Sequence, residues 1–178
     1  TIIPSIRYWK AKQRIDKQII VGLHISYRAA TNDTALKLEK WILEKCLDRQ
    51  VSKCRFHYLK FALPYGYDRL EQFGFTDDYS MAYSNVAGYR AGTSRPFSFY
   101  NIEKEEESKL TIHPLIVMDK TLRSNMKLNV DAAYQYIDTL KKSSNAIGGD
   151  FTTLFHNENV ADLNGWGEWG KRFFKNRT

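Results

Sequence analysis

Apolar residues occur in short runs separated by polar and glycine-containing segments, a pattern typical of alternating strands and helices. The first run, residues 19–25, is rich in β-branched residues on both faces and predicts a buried strand of a parallel sheet. Asn32 and Asp33 then offer N-capping side chains, and apolar residues at helical spacing continue to about Arg49. A second strand is predicted over residues 54–61.

The rest of the chain continues this alternation. The predicted elements are, in order, a short helix between Pro64 and Gly74, an extended segment at 75–83, a strand at 110–118 interrupted at Pro114, a helix from Asn129 to 147, a strand at 151–155 and a helix at 166–174. We therefore predict an α/β fold with a mostly parallel sheet. Four helices and five or six strands are too few for a complete eight-fold barrel.

Composition supports one globular domain. The 178 residues are 43% hydrophobic and 26% charged, and we expect a single domain over residues 1–178. The longest apolar run, residues 19–23, is far shorter than the roughly 20 residues that span a bilayer, so no membrane span is predicted. Residues 1–17 lack the apolar core of a signal peptide. Cys46 and Cys54 do not make a disulfide framework, which indicates a reducing compartment.

The net charge of +7 raises the question of a nucleic-acid partner. The basic residues are scattered, apart from a group near the C-terminus: Lys171, Arg172, Lys175 and Arg177. Such a group on a terminal helix is typical of a solvated face, and no nucleic-acid-binding motif occurs. We therefore expect no nucleic acid among the partners.

Candidate chemistry lies near strand ends, where parallel α/β folds bind their ligands. His24 ends the first predicted strand and His156 the last, whereas His57 lies within the second. Imidazole is the commonest metal ligand and the usual acid or base near neutral pH. The alternative is a structural histidine held by hydrogen bonds, and this alternative is favoured for His113, which precedes Pro114.

Each of the other polar and aromatic candidates allows both a functional and a structural interpretation. Arg90 lies between two glycines, where its guanidinium could clamp a carboxylate or fix the loop through carbonyl oxygens. Asp77, Asp78 and Asp119 follow strand-like runs, but turn or capping roles fit them equally well. The segment 79–100 is rich in aromatic side chains, which could stack on sugar rings or pack in a core.

Five segments together resemble the polysaccharide deacetylases, carbohydrate esterases with a deformed (β/α) barrel. They are GLHISY at 22–27, RFHYLKF at 55–61, YRAGTSRPF at 89–97, IVMDKTL at 116–122 and LFHN at 154–157. The first, second and last resemble the family's second, third and fifth motifs. The other two resemble a bacterial subgroup linked to surface-glycan synthesis. The resemblance covers residues 20–157 and implies an incomplete or deformed barrel with mostly parallel strands.

The resemblance implies a hydrolase that uses a divalent metal ion, expected to be zinc, to remove an N-acetyl group from an amino sugar in a polysaccharide or glycan precursor. By position, His24 would be a metal ligand, His156 would protonate the leaving amine, and Arg55 would orient the catalytic carboxylate. The implied substrate contacts are Tyr27, Tyr58, Arg90, Asp119 and Asn157. The implied location is the cytoplasm or the bacterial cell envelope. The alternative is a non-catalytic carbohydrate-binding relative without a functional metal site.

Two positions depart from the family pattern. The second histidine of the family's second motif would fall at Arg28, and His57 on the next strand is the candidate replacement ligand. The Asp pair of the first motif is not found before His24. Either the early strand that carries it precedes residue 1, which is the favoured interpretation, or this member has lost it.

Overall fold

A computed structural model describes residues 19–156, residue 159 and residues 167–175. Contacts within the chain divide it into two compact units. Unit 1 contains the chain up to Ser80 together with Phe97–Ile112, and unit 2 contains Met81–Pro96 together with the chain from His113 onward. The single domain expected over residues 1–178 stays a prediction.

Unit 1 is built on a five-stranded sheet. Its strands are β1 (Leu23–Ile25), β2 (Lys53–Phe56), β3 (Asp77–Asp78), β4 (Phe97–Asn101) and β5 (Glu106–Ile112). The strand order is β1-β2-β3-β5-β4, and every neighbouring pair is parallel except β5 and β4. This arrangement confirms the predicted α/β class with mostly parallel strands. A closed barrel is not shown by the described strands.

Two helices accompany this sheet, α1 (Asp33–Leu47) and α2 (Tyr65–Gln72). The Asn32 side chain accepts a hydrogen bond from the backbone N–H of Ala35 at 2.8 Å and so caps α1 as predicted. Gly74 follows α2 with a φ of +72°, a conformation that favours glycine. Helix α1 packs on β1, and α2 packs on β5.

Alternation along the strands separates an apolar face from a polar face. The buried side chains of the core are Leu23, Ile25, Leu36, Phe56, Tyr67, Leu70, Leu110 and Ile112. The intervening strand residues His24, Lys53 and Arg55 point to the other face and are exposed or half-buried. In the parallel register, His24 lies beside Arg55. The fold therefore places basic and imidazole side chains next to each other outside the core.

Unit 2 contains a smaller parallel sheet of two strands, β6 (Val117–Met118) and β7 (Thr153–Leu154). The described part of unit 2 also contains the α-helices α3 (Val130–Ala146) and α4 (Gly167–Lys175). Asn129 caps α3 by accepting a hydrogen bond from the backbone N–H of Ala132 at 2.9 Å. The core of unit 2 contains Ile116, Val117, Leu122, Ala133, Ile137 and Trp169.

Helices α1 to α4 lie close to where the sequence predicts them, whereas most of the described strands are shorter than predicted. The strand predicted over residues 54–61 ends at Phe56, because the next three residues form a tight turn. Residues 113–116 separate β5 from β6, as the predicted interruption at Pro114 requires. Within the described ranges, no helix has both the length and the apolar character needed to cross a bilayer.

The cap of α1 can be tested by substitution. We expect Asn32→Ala to lower the free energy of unfolding by about 1 kcal/mol, because the backbone N–H of Ala35 loses its side-chain acceptor. Urea denaturation followed by circular dichroism measures this loss. Asn32→Asp keeps an accepting oxygen and should remain close to the wild type; equal losses in both variants would contradict the capping role.

Candidate functional site

A chain of hydrogen bonds links three side chains on the polar face of the unit 1 sheet. An Arg55 guanidinium nitrogen, Nη2, lies 2.7 Å from His24 Nδ1, and His24 Nε2 lies 2.7 Å from His57 Nδ1. Strand register places Arg55 beside His24, and His57 comes directly after β2. The structure therefore brings together three residues for which the family resemblance implies a role in a metal site or in catalysis.

The chemistry of these groups fixes the proton on His24. A guanidinium can only donate hydrogen bonds, so His24 Nδ1 accepts the bond from Arg55. A neutral His24 then carries its proton on Nε2 and donates it to His57 Nδ1. Arg55 thus selects one tautomer of His24 and holds its ring in one orientation.

Two adjacent imidazoles fit a divalent ion such as zinc in ligand type. Their facing nitrogens are 2.7 Å apart, closer than the roughly 3.3 Å expected for two nitrogens bound to one tetrahedral zinc at about 2.0 Å. A metal would therefore replace the shared proton and spread the rings, and Arg55 would have to turn away from His24. No group of three or more His, Cys, Asp or Glu side chains that could hold a metal is found among the described residues. Any further ligands would come from water, substrate or parts of the chain outside the described residues.

Two exposed tyrosines flank this histidine pair. The rings of Tyr27 and Tyr58 meet edge to face with centroids 6.3 Å apart, and the Tyr58 ring lies 4.2 Å from the His57 ring. Tyr27 is 55% exposed and Tyr58 is 68% exposed. Tyr58 and Leu59 both have left-handed backbone conformations, with φ of 56° and 53°. The Lys60 ammonium lies over the Tyr27 ring, 3.5 Å from its centroid, and so covers one face of that ring. Parts of both rings are nevertheless exposed beside the imidazoles.

A buried carboxyl fixes the end of β2 just before His57. The Ser80 hydroxyl donates to Asp78 at 2.6 Å and accepts from the backbone N–H of Phe56 at 2.9 Å. Burial raises the pKa of Asp78 to about 6, although hydrogen bonds from Ser80 and Tyr67 and the charge of Arg55 act to lower it. The sequence leaves a functional role and a turn or capping role equally open for Asp78, because burial at a strand end is not visible in the pattern.

A second group of polar side chains lies in unit 2, at the ends of its two parallel strands. Asp119 directly follows β6, and His156 comes two residues after β7. His156 Nδ1 is 2.6 Å from Asp119 Oδ1, and the backbone N–H of His156 donates to Oδ2 at 2.6 Å. The Asn159 amide also donates to Oδ2. The carboxylate is buried, whereas 33% of the His156 side chain is exposed.

The Asp119 carboxylate stays ionised at neutral pH and orients His156. Burial raises the pKa of Asp119, but hydrogen bonds from His156 and Asn159 outweigh this effect, and the net pKa is lowered. The carboxylate holds a proton on His156 Nδ1, which leaves Nε2 as the accepting nitrogen of the neutral ring. A carboxylate and an imidazole in this relation form a pair suited to general acid–base catalysis.

Two further predicted substrate contacts are Arg90 and Asn157. Arg90 is exposed. The adjacent Tyr89 anchors its loop, since its hydroxyl lies 2.7 Å from Ser144 Oγ and donates to the Asp150 carbonyl at 2.6 Å. Asn157 lies outside the described residues. His24 and His156 belong to different units, and the expectation that they share one site stays a prediction.

Comparisons with known proteins give no match: no family model, curated protein or solved structure is significantly similar to this chain. The two groups of polar side chains are therefore interpreted from their own geometry and chemistry.

The buried carboxyl of Asp78 predicts a pH dependence of stability. Its pKa is about 6 in the folded state, above the ordinary value of 3.8, so its contribution to stability is fully present below about pH 4 and is lost as the pH rises through about 6. Asp78→Asn removes this titration. We expect the difference in urea midpoint between the wild type and Asp78→Asn to change between about pH 4 and 6, in the direction that disfavours the wild type.

Asp138→Asn is the control for that measurement. Asp138 is half exposed and pairs with Lys142 on the surface of α3, so its substitution should not reproduce the trend between pH 4 and 6. A midpoint difference for Asp78→Asn that is independent of pH would contradict the raised pKa.

Proposed function

We propose that this chain is a hydrolase that removes an N-acetyl group from an amino sugar in a polysaccharide or glycan precursor. The observation that carries the proposal is the Asp119–His156 pair, in which a buried carboxylate holds a partly exposed imidazole at 2.6 Å. Proton transfer by such a pair serves amide hydrolysis, because nitrogen leaves readily only when it is protonated. The deformed barrel of the polysaccharide deacetylases is part of this proposal.

His156 supplies the proton to the leaving nitrogen. The protonated imidazole is stabilised by the Asp119 carboxylate, and its Nε2–H is the donor. The neutral ring accepts a proton from water through Nε2 as the water oxygen adds to the acetyl carbon. The same proton then passes to the sugar nitrogen as the carbon–nitrogen bond breaks, which releases acetic acid and the free amine. Asp119 has a positioning role here instead of the predicted contact with substrate, because it is buried and accepts hydrogen bonds from His156 and Asn159.

The histidine pair of unit 1 provides the second part of the proposal. His24 and His57 would hold the divalent ion, expected to be zinc, which when bound polarises the acetyl carbonyl. Arg55 has a positioning role in the metal-free protein, where it orients the His24 ring, and would have to turn away when the ion binds. Tyr27 and Tyr58 are partly exposed beside the histidines and would contact a sugar ring there, with Lys60 occupying one face of Tyr27. Arg90 and Asn157 stay proposed substrate contacts.

A carbohydrate-binding protein without metal is the second candidate. It is favoured by the state of His24, whose Nδ1 accepts from Arg55 and whose Nε2 carries the proton shared with His57. In this function the tyrosine pair would bind a sugar ring, and no acetyl group would be released.

Acetate release from an acetylated chitooligosaccharide tests the role of His156. We expect His156→Ala to abolish measurable turnover and Asp119→Asn to lower kcat by about 10²- to 10⁴-fold, because the first removes the proton donor and the second its orienting carboxylate. His113→Ala, a histidine of unit 2 outside the proposed site, is the control and should keep its activity. Full turnover in His156→Ala would remove this residue from the mechanism.

Metal content separates the two candidate functions. We expect the purified chain, equilibrated with zinc and desalted, to retain about one divalent ion, and His24→Ala and His57→Ala to lose it, since each removes one imidazole ligand. Elemental analysis measures the ratio of metal to protein, with His113→Ala again as the control. A wild-type chain that retains no ion but still binds chitooligosaccharides would favour the carbohydrate-binding function.

A further inference from the structure

The Asp119 carboxylate accepts four hydrogen bonds, as many as its two oxygens have acceptor sites. Oδ1 accepts from His156 Nδ1 at 2.6 Å and from the backbone N–H of Lys120 at 2.7 Å. Oδ2 accepts from the backbone N–H of His156 at 2.6 Å and from the Asn159 side-chain amide at 2.5 Å. Two of the four donors belong to the main chain, so the Asn159 amide is the contribution that a substitution can remove without changing His156 itself.

Asn159 is fully buried and lies in the turn that follows His156. Its backbone N–H donates to the His156 carbonyl at 3.1 Å. A buried side-chain amide needs partners for both its oxygen and its nitrogen. Because Nδ2 donates to Asp119, the Asn159 oxygen requires a donor on its other side.

Arg123 supplies that donor, since its Nη1 donates to Asn159 Oδ1 at 2.6 Å. A guanidinium can only donate and an ionised carboxylate can only accept, so the Asn159 amide fits between Arg123 and Asp119 in one orientation. A flipped amide would place two donors against each other at one end and two acceptors at the other. Arg123 therefore acts on Asp119 through the buried amide.

Arg123 lies in a π-helix of five residues, Thr121–Asn125, that begins shortly after Asp119. The backbone N–H of Met126 donates to the Thr121 carbonyl at 2.9 Å, which is the spacing of five residues that defines such a helix. Single π-helical turns are rare and are frequent at functional sites. Both groups that bond to the buried amide thus come from one short segment after β6.

We propose that Arg123 and Asn159 are positioning residues for His156, because they hold the Asp119 carboxylate in the orientation that keeps the proton of the neutral imidazole on Nδ1. Which imidazole nitrogen carries the proton is set by the hydrogen bond that the other nitrogen or its own N–H makes. Without the Asn159 donor, the carboxylate would bond to water and rotate more freely. The consequence for catalysis rests on the proposed hydrolase function, whereas the tautomer of His156 does not.

The ¹⁵N NMR spectrum of the imidazole nitrogens tests this proposal on the full chain, at a pH at which the His156 ring is neutral. We expect the wild type to carry the proton mostly on Nδ1. In Arg123→Met and Asn159→Leu the share of the Nε2–H tautomer should rise about threefold or more, because the carboxylate loses its fixed orientation. Arg123→Lys keeps a cationic donor and should lie closer to the wild type than Arg123→Met.

Arg95→Met is the matched control for this measurement. Arg95 is an exposed arginine of unit 2 that donates to the Ile147 carbonyl at 3.3 Å, outside the Asp119 network. Its substitution should leave the tautomer of His156 unchanged. A wild type with its proton mostly on Nε2, or a tautomer ratio that is the same in Arg123→Met and Asn159→Leu as in the wild type, would overturn the proposal.

Hydrogen exchange in the wild type keeps the proposal testable if a variant fails to fold. We expect the side-chain amide protons of Asn159 to exchange with solvent about tenfold or more slowly than those of the exposed Asn145, because they are buried and hydrogen-bonded. Equally fast exchange of the two amides would show that Asn159 is not held between Arg123 and Asp119 and would overturn the proposal.

Kinetics separate positioning from a merely structural role. With an acetylated chitooligosaccharide, we expect Arg123→Met to lower kcat about 10- to 10²-fold while KM stays within about twofold, because the proton-transfer group is misplaced and substrate binding is not. Arg123→Lys should recover part of the loss. A lower urea midpoint with unchanged kcat for the folded Arg123→Met protein would indicate a structural role only and overturn the proposal.

The positioning role and the hydrolase function can fail separately. A tautomer of His156 that depends on Arg123 and Asn159, in a protein that releases no acetate, would retain the positioning role and exclude the hydrolase. Acetate release that needs His156, with kcat and tautomer unaffected by substitution of Arg123 and Asn159, would retain the hydrolase and exclude the positioning role.

Discussion

The hydrogen bond between Arg55 and His24 controls the chemistry available in unit 1. Parallel pairing of β1 and β2 places these residues side by side, and the guanidinium can only donate. The donor property of Arg55 therefore fixes the proton of His24, the direction of the bond to His57 and the condition under which a metal could bind. The same guanidinium lines a cavity of about 300 Å³ on this face of the sheet.

Unit 2 also places an imidazole beside a charged side chain at a neighbouring strand, but there the charged group is a carboxylate. Its parallel strands β6 and β7 bring Asp119 and His156 together just beyond their carboxyl ends. Here a carboxylate accepts, so the imidazole presents Nε2 as its open acceptor, whereas in unit 1 a guanidinium donates and Nδ1 is engaged. Neighbouring strands in parallel register thus produce two imidazole groups with different protonation patterns, one suited to proton transfer and one to ligand binding.

Local signals in the sequence predict the helices well, because caps such as Asn32 and Asn129 and breakers such as Gly74 act within a few residues. They do not predict β4, since an edge strand with one exposed face has no continuous apolar run. The candidate histidines at strand ends follow from the pattern, but their partners do not. The contact of Asp119 with His156 spans 37 residues, and the role of Asp78 depends on burial by distant elements.

The left-handed backbone at Tyr58 and Leu59 limits the residue types that fit this turn without a steric penalty. Glycine adopts that conformation without a steric penalty, whereas a residue with a Cβ pays about 1 kcal/mol or more. A glycine at position 58 would therefore relieve the steric penalty in the backbone. It would also remove an aromatic ring that is mostly exposed to solvent and adds little to the core. At this backbone cost, the turn places the Tyr58 ring against the rings of His57 and Tyr27.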